Sequence, residues 1–344
     1  MDVTFDGEQA HAGRDARERF YDSRGYGTPR GGDLELAPVE AAHLLYRGDL
    51  DAVRDSRTDE RLGFQAFLGS GAVPEVDFFV YKDLRDRGFY LSPADGREDF
   101  HVYPRGNGPW DDEIAYRVRA VSERTDVSAD ELVAIADGAG TGVLAVVDEE
   151  SEVSYFELAT PGVEGATDHD IPPVTGALLA DRVLVAESPE PLHDRAFYGQ
   201  RLDRDDAAVQ LSLVESAYLA RTGVLALDGG ERGADTAAIT ERGREVEGER
   251  FDRRLRVYES LRESGVVPKT GFKFGADFRT YADVESVDDL GHSEYLVRVV
   301  PADRVFSPRD LALDVRLAHG VRKEMRFALV DAGIEWLSVT RLTP

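Results

Sequence analysis

The sequence predicts an α/β (α+β mixed) fold that is built twice in one chain by tandem duplication. Three separated blocks of the first half recur in the second half at a nearly constant offset of about 175 to 178 residues. The matched pairs are Gly48 with Gly223, Val80 with Val257, and Tyr103 with Tyr281. Strand, helix and strand patterns follow one another in the copies, which is typical of a compact α/β unit.

The first element of each copy is predicted to be an amphipathic helix. Apolar residues recur at helical spacing from Glu35 to Arg47, and the pattern stops at Gly48. The counterpart runs from Leu211 to Arg221 and stops at Gly223. A small N-terminal subdomain of helix and strand is therefore expected in each half. The charged stretch that starts at Gly229 is expected to be a loop or an exposed helix after it.

The second subdomain is predicted to open with a helix from about Phe251 to Ser264, which stops at Gly265. GFKFGADFRTY and SEYLVRVV follow and are interpreted as strands, and the second is apolar enough for a central position. Ser307 and Asp310 form a capping box in front of an amphipathic helix. MRFALVDAGIEWLSVTRL is then predicted to form two strands joined by a turn at Asp331 to Gly333.

Five segments follow from these patterns. The linker is placed where ATPGVEGATDHDIPP concentrates proline, glycine and acidic residues. The predicted boundaries are residues 1–75 and 76–160 for the two subdomains of repeat 1, 161–173 for the linker, and 174–248 and 249–344 for the two subdomains of repeat 2.

The composition excludes several kinds of catalytic and metal site and indicates where in the cell the protein is found. The chain has 344 residues and no cysteine, which excludes disulfides, thiolate catalysis and thiolate-bound zinc. No apolar run is long enough to cross a membrane, and the first residues do not resemble a signal peptide. We therefore expect a cytoplasmic protein that makes no use of a membrane.

The formal net charge of −26 would ordinarily argue against a nucleic-acid partner. Only four of the 41 cationic residues are lysines, and this scarcity together with the acidic surface is typical of a protein from a salt-loving archaeon. At roughly molar salt the Debye length is only about 3 Å, so the acidic field scarcely repels a phosphate backbone beyond contact distance. An acidic protein that simply avoids polyanions is the alternative, and composition leaves both open.

The two copies differ in the residues that could carry chemistry. When VVDEES is aligned with LVDAGI, Lys323 falls on Gly140 and His292 falls on or near Glu113, whereas the tyrosine at Tyr281 is kept in both copies. The second half thus keeps a tyrosine, a histidine and a lysine that the first half has mostly lost. This pattern indicates one working site and one degenerate, architectural copy.

Each of these residues also has a purely structural interpretation. His292 could be a surface histidine, Tyr281 could pack at the end of a strand, and Lys323 could complete a helix dipole, although arginine would serve there equally well. Together they suit the metal-free transesterification of an RNA phosphodiester. That reaction needs a base for the 2′-hydroxyl, an acid for the leaving 5′-oxygen and a cation for the charge that develops on phosphorus.

The motifs of the second half resemble a known family. VYESLRESGVVPKTGFKFGADFRTY, GHSEYLVRVV and DVRLAHGVRKEMRFALVD, which cover about Val257 to Asp331, are similar to the catalytic domain of the archaeal tRNA-splicing endonuclease, the tRNA-intron lyase. The first half resembles the same family in degenerate form. The duplicated arrangement resembles its fused two-repeat class, which implies a restriction-endonuclease-like α/β catalytic subdomain in each half and a homodimer of two-repeat chains.

The resemblance also implies roles for residues. Tyr281 would be the general base, His292 the general acid and Lys323 the transition-state stabiliser, although the sequence leaves open which of Tyr281 and His292 takes the first proton. Arg316 lies seven residues before Lys323, which would place both on about the same helical face, and with Arg341 it would clamp a bulged RNA base. The implied partner is precursor tRNA with a bulge-helix-bulge, and the resemblance implies neither a metal nor another cofactor.

The family also docks its subunits by inserting an acidic loop into a basic cleft of a neighbour. The candidate loop lies in the first half between its last two predicted strands, and a solvated acidic turn is an equally weighted interpretation. Its acidic residues are Asp148, Glu149, Glu150 and Glu152.

Two other functions remain as alternatives. A non-catalytic RNA-binding or assembly subunit of a tRNA-splicing complex would be expected to lose the tyrosine, histidine and lysine that this chain has kept. A metal-dependent nuclease of similar fold would need clustered carboxylates, and acidic residues are abundant here. Cleavage in excess EDTA distinguishes the metal-dependent enzyme from the metal-free one.

Overall fold

The structure is a computed structural model that describes residues 1–204, 206–229 and 235–344. It divides into two compact units: residues 1–160, 305–313 and 339–344 form unit 1, and residues 161–304 and 314–338 form unit 2. The mixed α/β class predicted from the sequence is confirmed. None of the helices in these described ranges is both long enough and apolar enough to cross a membrane.

The helices that cover residues 38–46, 213–221, 250–263 and 308–320 coincide with the four stretches that were predicted to be helical. Short π-helical segments cover Arg17–Tyr21 and Pro191–Arg195, and 3₁₀ turns cover Phe272–Phe274 and Val287–Asp289. The α-helices are α1 (Arg14–Ala16), α2 (Asp22–Arg24), α3 (Pro38–Tyr46), α4 (Phe64–Gly69), α5 (Glu75–Asp86), α6 (Ala129–Ala136), α7 (Leu213–Arg221), α8 (Asp235–Glu247), α9 (Arg250–Glu263) and α10 (Pro308–Gly320).

The strands of residues 1–160 are β1 (Asp2–Phe5), β2 (Ala10–Ala12), β3 (Thr28–Arg30), β4 (Asp33–Leu36), β5 (Ala52–Asp55), β6 (Arg61–Leu62), β7 (Leu91–Pro93), β8 (Phe100–Val102), β9 (Tyr116–Ser122), β10 (Val127–Ser128), β11 (Thr141–Val147) and β12 (Val153–Ala159). The later strands are β13 (Val174–Leu178), β14 (Arg182–Val185), β15 (Gln200–Arg201), β16 (Val209–Ser212), β17 (Leu225–Leu227), β18 (Val267–Thr270), β19 (Phe278–Tyr281), β20 (Tyr295–Pro301), β21 (Val305–Phe306), β22 (Glu324–Val330) and β23 (Ile334–Leu342).

Each unit contains two sheets of matching design. In unit 1 an N-terminal sheet has the order β3-β4-β2-β1-β5-β6, and the strands of its second sheet follow the order β7-β8-β9-β11-β12. In unit 2 the corresponding orders are β15-β16-β14-β13-β17 and β18-β19-β20-β22-β23, with residues 334–338 of β23 in this unit. The parallel pair β9 and β11 corresponds to the parallel pair β20 and β22.

A conserved arrangement of arginine and tyrosine joins the two subdomains in each copy. In unit 1 the Arg85 guanidinium lies 3.6 Å from the ring centroid of Tyr26, and in unit 2 that of Arg262 lies 3.8 Å from the ring centroid of Tyr198. A guanidinium over an aromatic face is stabilised by the ring quadrupole, more so when both are buried. The duplication therefore repeats the packing as well as the sequence.

One predicted strand differs from the observed structure. GFKFGADFRTY was expected to be one strand, but Phe272–Phe274 forms a 3₁₀ turn and only Phe278–Tyr281 is a strand. The turn is possible because Gly275 has a φ of 70°, a left-handed conformation that glycine adopts without strain. The charged stretch after Gly229 was expected to be a loop or an exposed helix, and helix α8 covers its residues from Asp235 onward. Residues 230–234 lie outside the described part of the chain.

Candidate active site

Three neighbouring strands of unit 2 end at one edge of their sheet. β19 is antiparallel to β20, and β20 is parallel to β22. The C-terminal end of β19 therefore lies beside the N-terminal ends of β20 and β22. Tyr281 is the last residue of β19, His292 lies three residues before Tyr295 at the start of β20, and Lys323 lies one residue before β22. The topology brings the three predicted residues to the same edge.

Tyr281 is held by apolar packing and is only 7% exposed. Its ring meets that of Phe197 edge-on, with centroids 5.7 Å apart, and it belongs to a small cluster with Val267 and Val284. This packing confirms that the tyrosine has a structural role, as its retention in both copies suggested. It also fixes the ring in one orientation at the sheet edge.

His292 is exposed and lies in the loop that leads into β20. The backbone on its C-terminal side is fixed, because the amide of Glu294 donates a hydrogen bond of 3.0 Å to the carbonyl of Thr280. Thr280 directly precedes Tyr281 in the sequence. The histidine is thus free to meet a ligand while its main chain remains close to the tyrosine.

Lys323 lies beyond the end of α10, which corrects one expectation. The helix ends at Gly320, and Arg322 has a φ of 57°, so the chain turns before Lys323 and the lysine does not share a helical face with Arg316. The turn is closed by a 2.9 Å hydrogen bond from the amide of Lys323 to the carbonyl of Ala318. The Lys323 ammonium then donates to the carbonyl of Ser293 at 2.5 Å, beside His292.

Arg279 is a member of this site that the sequence reasoning missed. Its guanidinium lies 5.7 Å from the ring centroid of Tyr281, two residues away on the same strand. Burial lowers the pKa of the Lys323 ammonium, and the positive charge of Arg279 lowers it further. Because residues i and i+2 of a strand share a face, the strand prediction for FRTY already contained the signal that Arg279 points to the same side as Tyr281.

The copy in unit 1 has the same framework without the histidine and the lysine. Thr141 pairs with Tyr116 there as Glu324 pairs with Tyr295 in unit 2, so the position of Lys323 is taken by Gly140. Gly140 has a φ of 78°, and a Cβ at this residue would lie 2.7 Å from the carbonyl oxygen of Ile114. The first copy therefore has no room for a side chain at this position in its present conformation.

Unit 1 also has a glutamate at the position of His292, and its tyrosine is hydrogen-bonded within the unit. Glu113 lies three residues before Tyr116, where unit 2 has His292, and its carboxylate accepts a hydrogen bond from Asn107. Tyr103 is buried like Tyr281, and its hydroxyl donates to the hydroxyl of Ser92 at 3.0 Å. The tyrosine of this copy is thus engaged within its own unit.

The two predicted RNA-binding arginines belong to different units. Arg316 is exposed on the part of α10 that belongs to unit 2, and Arg341 is exposed on the part of β23 that belongs to unit 1. Their joint role stays a prediction. Across residues 1–204, 206–229 and 235–344, no group of three or more histidine, aspartate and glutamate side chains is arranged to hold a metal ion.

The acidic loop occupies the predicted turn between β11 and β12. Asp148 shapes this turn, since its carboxylate accepts hydrogen bonds from the amides of Glu150 and Glu152, each at 2.9 Å. Glu149 pairs with Arg124 at 2.6 Å. Asp148 is half-buried, and its carboxylate is engaged in these hydrogen bonds within the loop. The side chains of Glu150 and Glu152 are exposed.

A cleft of about 910 Å³ lies in unit 2 between the two subdomains of repeat 2. Four cationic side chains and three carboxylates line it: Arg182, Arg254, Lys269 and Arg279, with Asp181, Glu215 and Glu247. The buried Lys269 ammonium donates to Glu215 at 3.0 Å and to two backbone carbonyls. Arg279 is the lining cation for which the described residues provide no ion pair, so this end of the cleft is positive.

Comparison with known proteins gives matches in both halves. The family model for the tRNA intron endonuclease catalytic C-terminal domain matches residues 75–155 and 251–336. The model for the N-terminal domain of the same family matches residues 1–68 and 174–239. Each domain therefore occurs twice, which confirms the internal repeat; the subdomain boundaries given above remain predictions.

Relatives match the chain over nearly its full length. A protein named tRNA-splicing endonuclease from Haloarcula marismortui is 60% identical over the whole of both chains. Proteins of the same name from Haloferax volcanii and Methanosarcina acetivorans are 53% and 37% identical and cover 97% and 99% of both chains. The salt-adapted character predicted from composition agrees with the haloarchaeal sources. With both domain models matched twice and full-length relatives at this identity, the chain belongs to the tRNA intron endonuclease family.

Proposed function

We propose that this protein is an endonuclease of tRNA splicing that cuts precursor tRNA at the intron boundaries of a bulge-helix-bulge. The family membership and the names of the relatives support an RNA endonuclease of this kind. Shape recognition suits such a substrate, because proteins read paired RNA through its geometry and grip unpaired bases by stacking and hydrogen bonding.

The assignment of the active site rests on the sheet edge at which three strand ends meet. The strand ends that hold Tyr281, His292 and Lys323 meet at one sheet edge, with the Lys323 ammonium against the carbonyl next to His292. A phenol, an imidazole and an ammonium at one edge supply the base, the acid and the cation that RNA transesterification needs.

In the proposed reaction Tyr281, as its tyrosinate, takes the proton of the 2′-hydroxyl and becomes the neutral phenol, and the 2′-oxygen then forms a bond to phosphorus. The bond between phosphorus and the 5′-oxygen breaks, and His292, as its imidazolium, delivers a proton to that leaving oxygen. Lys323 stabilises the negative charge on the non-bridging oxygens in the transition state. The products are a 2′,3′-cyclic phosphate and a 5′-hydroxyl. Arg316 and Arg341 are proposed to hold an unpaired base at the bulge by stacking.

The nucleophile is tested with a precursor tRNA that carries a single 2′-deoxynucleotide at one splice site. In molar salt with excess EDTA, the enzyme is expected to cut the unmodified site and to leave the deoxy site intact, and the released ends should carry a cyclic phosphate. Cleavage of the deoxy site, or activity only when divalent metal is present, would favour a metal-dependent nuclease. Binding without any cleavage would favour an assembly subunit.

The active protein is proposed to be a homodimer in which the acidic loop of one chain enters the cleft of the other. Charge supports this pairing, since Glu150 and Glu152 are exposed and the Arg279 end of the cleft is positive. Opposite charges of this kind fix orientation and suppress wrong partners. Asp148 organises the loop, so its replacement would disturb the turn as well as the charge.

The docking is therefore tested with Glu150→Arg and Glu152→Arg together, and with Glu18→Arg and Glu8→Arg as a matched double control on exposed residues of the same unit. Light scattering in molar salt should give twice the chain mass for the wild type and the control. The loop variant is expected to be monomeric. A loop variant that remains dimeric would remove this loop from the interface.

A further inference from the structure

The linker between the repeats does not behave as a free tether. Residues 161–173 belong to unit 2, and their backbone pairs with two turns of the catalytic repeat. The amides of Gly165 and Thr167 donate to the carbonyls of Ser264 and Gly265 at 2.7 and 3.0 Å, and the amide of Ala166 donates to the carbonyl of Ala282 at 2.7 Å. Ala282 directly follows Tyr281.

Two side chains of the linker, those of Thr167 and His169, bind the loop that follows Tyr281. The hydroxyl of Thr167 accepts a hydrogen bond from the amide of Val284 at 2.9 Å, and His169 Nε2 donates to the carbonyl of Val284 at 2.9 Å. Both backbone groups of Val284 are thus bound by the linker. Val284 also packs with Tyr281 in the small apolar cluster, so these bonds act on the same few residues as the tyrosine.

The backbones of the linker and the catalytic repeat lie so close together that both sides require glycine at the point of contact. A Cβ on Gly165 would lie 2.4 Å from the carbonyl oxygen of Gly265 and 2.7 Å from that of Ala282. Gly265 has a φ of 74°, and a Cβ there would lie 2.6 Å from the oxygen of Gly165. Cβ atoms do not occupy such positions, so any side chain at Gly165 must push the linker away from the loop.

Both ends of this segment are also attached to unit 2. Arg326, on β22, donates to the carbonyl of Gly162 at 3.1 Å. Val163 and Ile171 pack against the apolar core of the unit. The linker is therefore fixed on either side of the contact with residues 282–284.

We propose that residues 162–171 form a positioning strap that orders the loop from Tyr281 to His292, so that the two residues hold their catalytic geometry. The proposal rests on the proposed function for its effect on cleavage. Residues 282–294 join β19 to β20 with a single 3₁₀ turn and no strand. Fixing the start of such a loop removes part of its conformational freedom before the substrate binds.

The test uses two independent ways of loosening the strap in the full-length protein. Thr167→Val with His169→Ala removes both side-chain bonds to Val284, and His169→Gln keeps an N–H donor as the conservative variant. Gly165→Ala adds one methyl group at the close approach. Gly162→Ala is its matched control, because a Cβ at Gly162 meets nothing within 4 Å.

Three quantities are measured in molar salt: the single-turnover cleavage rate at saturating enzyme, the Kd for a 2′-deoxy precursor, and amide hydrogen exchange. The double variant and Gly165→Ala should cut about tenfold more slowly while their Kd stays within about twofold of the wild type. Exchange should accelerate in residues 282–292 and remain unchanged in β20. His169→Gln and Gly162→Ala should resemble the wild type.

Unchanged exchange in residues 282–292 in both loosened proteins would overturn the strap, as would equal effects in Gly162→Ala. Faster exchange with an unchanged cleavage rate would overturn its role in positioning. If the wild type does not cut precursor tRNA, the proposed function fails separately, and the exchange experiment still decides whether the linker orders this loop.

Discussion

The Lys323 ammonium donates a hydrogen bond to the backbone carbonyl of Ser293 at 2.5 Å. This bond joins the strand ends of β20 and β22 and sets the amine next to the residue that follows His292. It also orients the ammonium, since one of its three N–H groups is fixed by the protein and the others remain for a ligand.

Lys323 is predicted to matter more for the reaction than for substrate binding. Lys323→Ala should lower the single-turnover cleavage rate by roughly 10²- to 10³-fold, because an oriented cation acts mainly on charge that develops in the transition state. Lys323→Arg should recover little, since a planar guanidinium cannot replace a compact ammonium against the Ser293 carbonyl. Lys273→Ala, at an exposed lysine, is the control. Wild-type rates for Lys323→Ala would contradict the assignment.

The titration of Lys323 should depend on Arg279. Burial and the Arg279 charge lower the pKa of Lys323, so the amine loses its proton at a lower pH than an ordinary lysine. Arg279→Gln removes the repulsion and should move the titration midpoint to higher pH. The chain has only four lysines, so a lysine-labelled NMR titration can resolve this one. Arg195→Gln, at an exposed arginine, should leave the midpoint unchanged, and an equal midpoint in Arg279→Gln would show that the two groups do not interact.

Equivalent glutamates in the two copies should respond to pH in opposite directions. Burial raises the pKa of Glu40 to about 7, although the amides of Gly27 and Ala37 oppose it. Burial also acts on Glu215, but the Lys269 ammonium and two backbone amides outweigh it and lower the pKa of Glu215 to about 2. The position of Lys269 is taken by Ser92 in unit 1, as the strand registers show.

The direction in which pH changes the free energy of unfolding follows from whether the folded or the unfolded state holds the proton. Between pH 4.5 and about 7 the folded state keeps the Glu40 proton and the unfolded state does not, so the free energy of unfolding of unit 1 falls as pH rises, by roughly 3 kcal/mol in total. The contribution of Glu215 is present above its unfolded pKa and is lost as pH falls toward 2. Trp110 fluorescence in a Trp336→Phe background reports unit 1. Glu40→Gln should flatten this pH dependence; the same slope in both proteins would contradict it.

The first copy should not become active when its lost residues are restored. In Gly140→Lys with Glu113→His, the new lysine meets the Ile114 carbonyl and requires a φ near 78°, which costs about 1–3 kcal/mol for a residue other than glycine. These changes are therefore expected to destabilise unit 1 without restoring cleavage to a Lys323→Ala protein. Thermal unfolding and single-turnover cleavage measure the two effects. Recovery of activity would show that the copies are interchangeable.

The sequence predicted the elements that carry the site because their apolar patterns are long and regular. The helix before β18, the turn at Asp331–Gly333 and the strand ends of Tyr281 and His292 all follow from local spacing. The position of Lys323 does not follow from local spacing, because the chain turns at Arg322, which has a left-handed φ, instead of continuing as a helix. A helical spacing rule has no means of detecting a single residue that reverses the chain.

Tertiary contacts account for the remaining differences. The linker composition indicated a loop, but its bonds to Val284 depend on residues more than a hundred positions away. Arg279 is ordinary in the sequence and becomes part of the site only because Lys323 approaches it from another strand. Lys269, one of the four lysines, is explained by its buried partner Glu215, which sequence spacing does not reveal.

His292 is predicted to protonate the leaving 5′-oxygen at a site built by the second copy. This role is tested by the cleavage rate of His292→Ala on a precursor tRNA whose scissile 5′-oxygen is replaced by sulfur, since a thiolate leaves without protonation. His292→Ala should cut the ordinary substrate at least 100-fold more slowly than wild type and His11→Ala, yet cut the sulfur substrate at nearly the wild-type rate. Tyr281→Phe should be slow on both. An equally large loss on both substrates for His292→Ala, or no loss on either, would contradict the account.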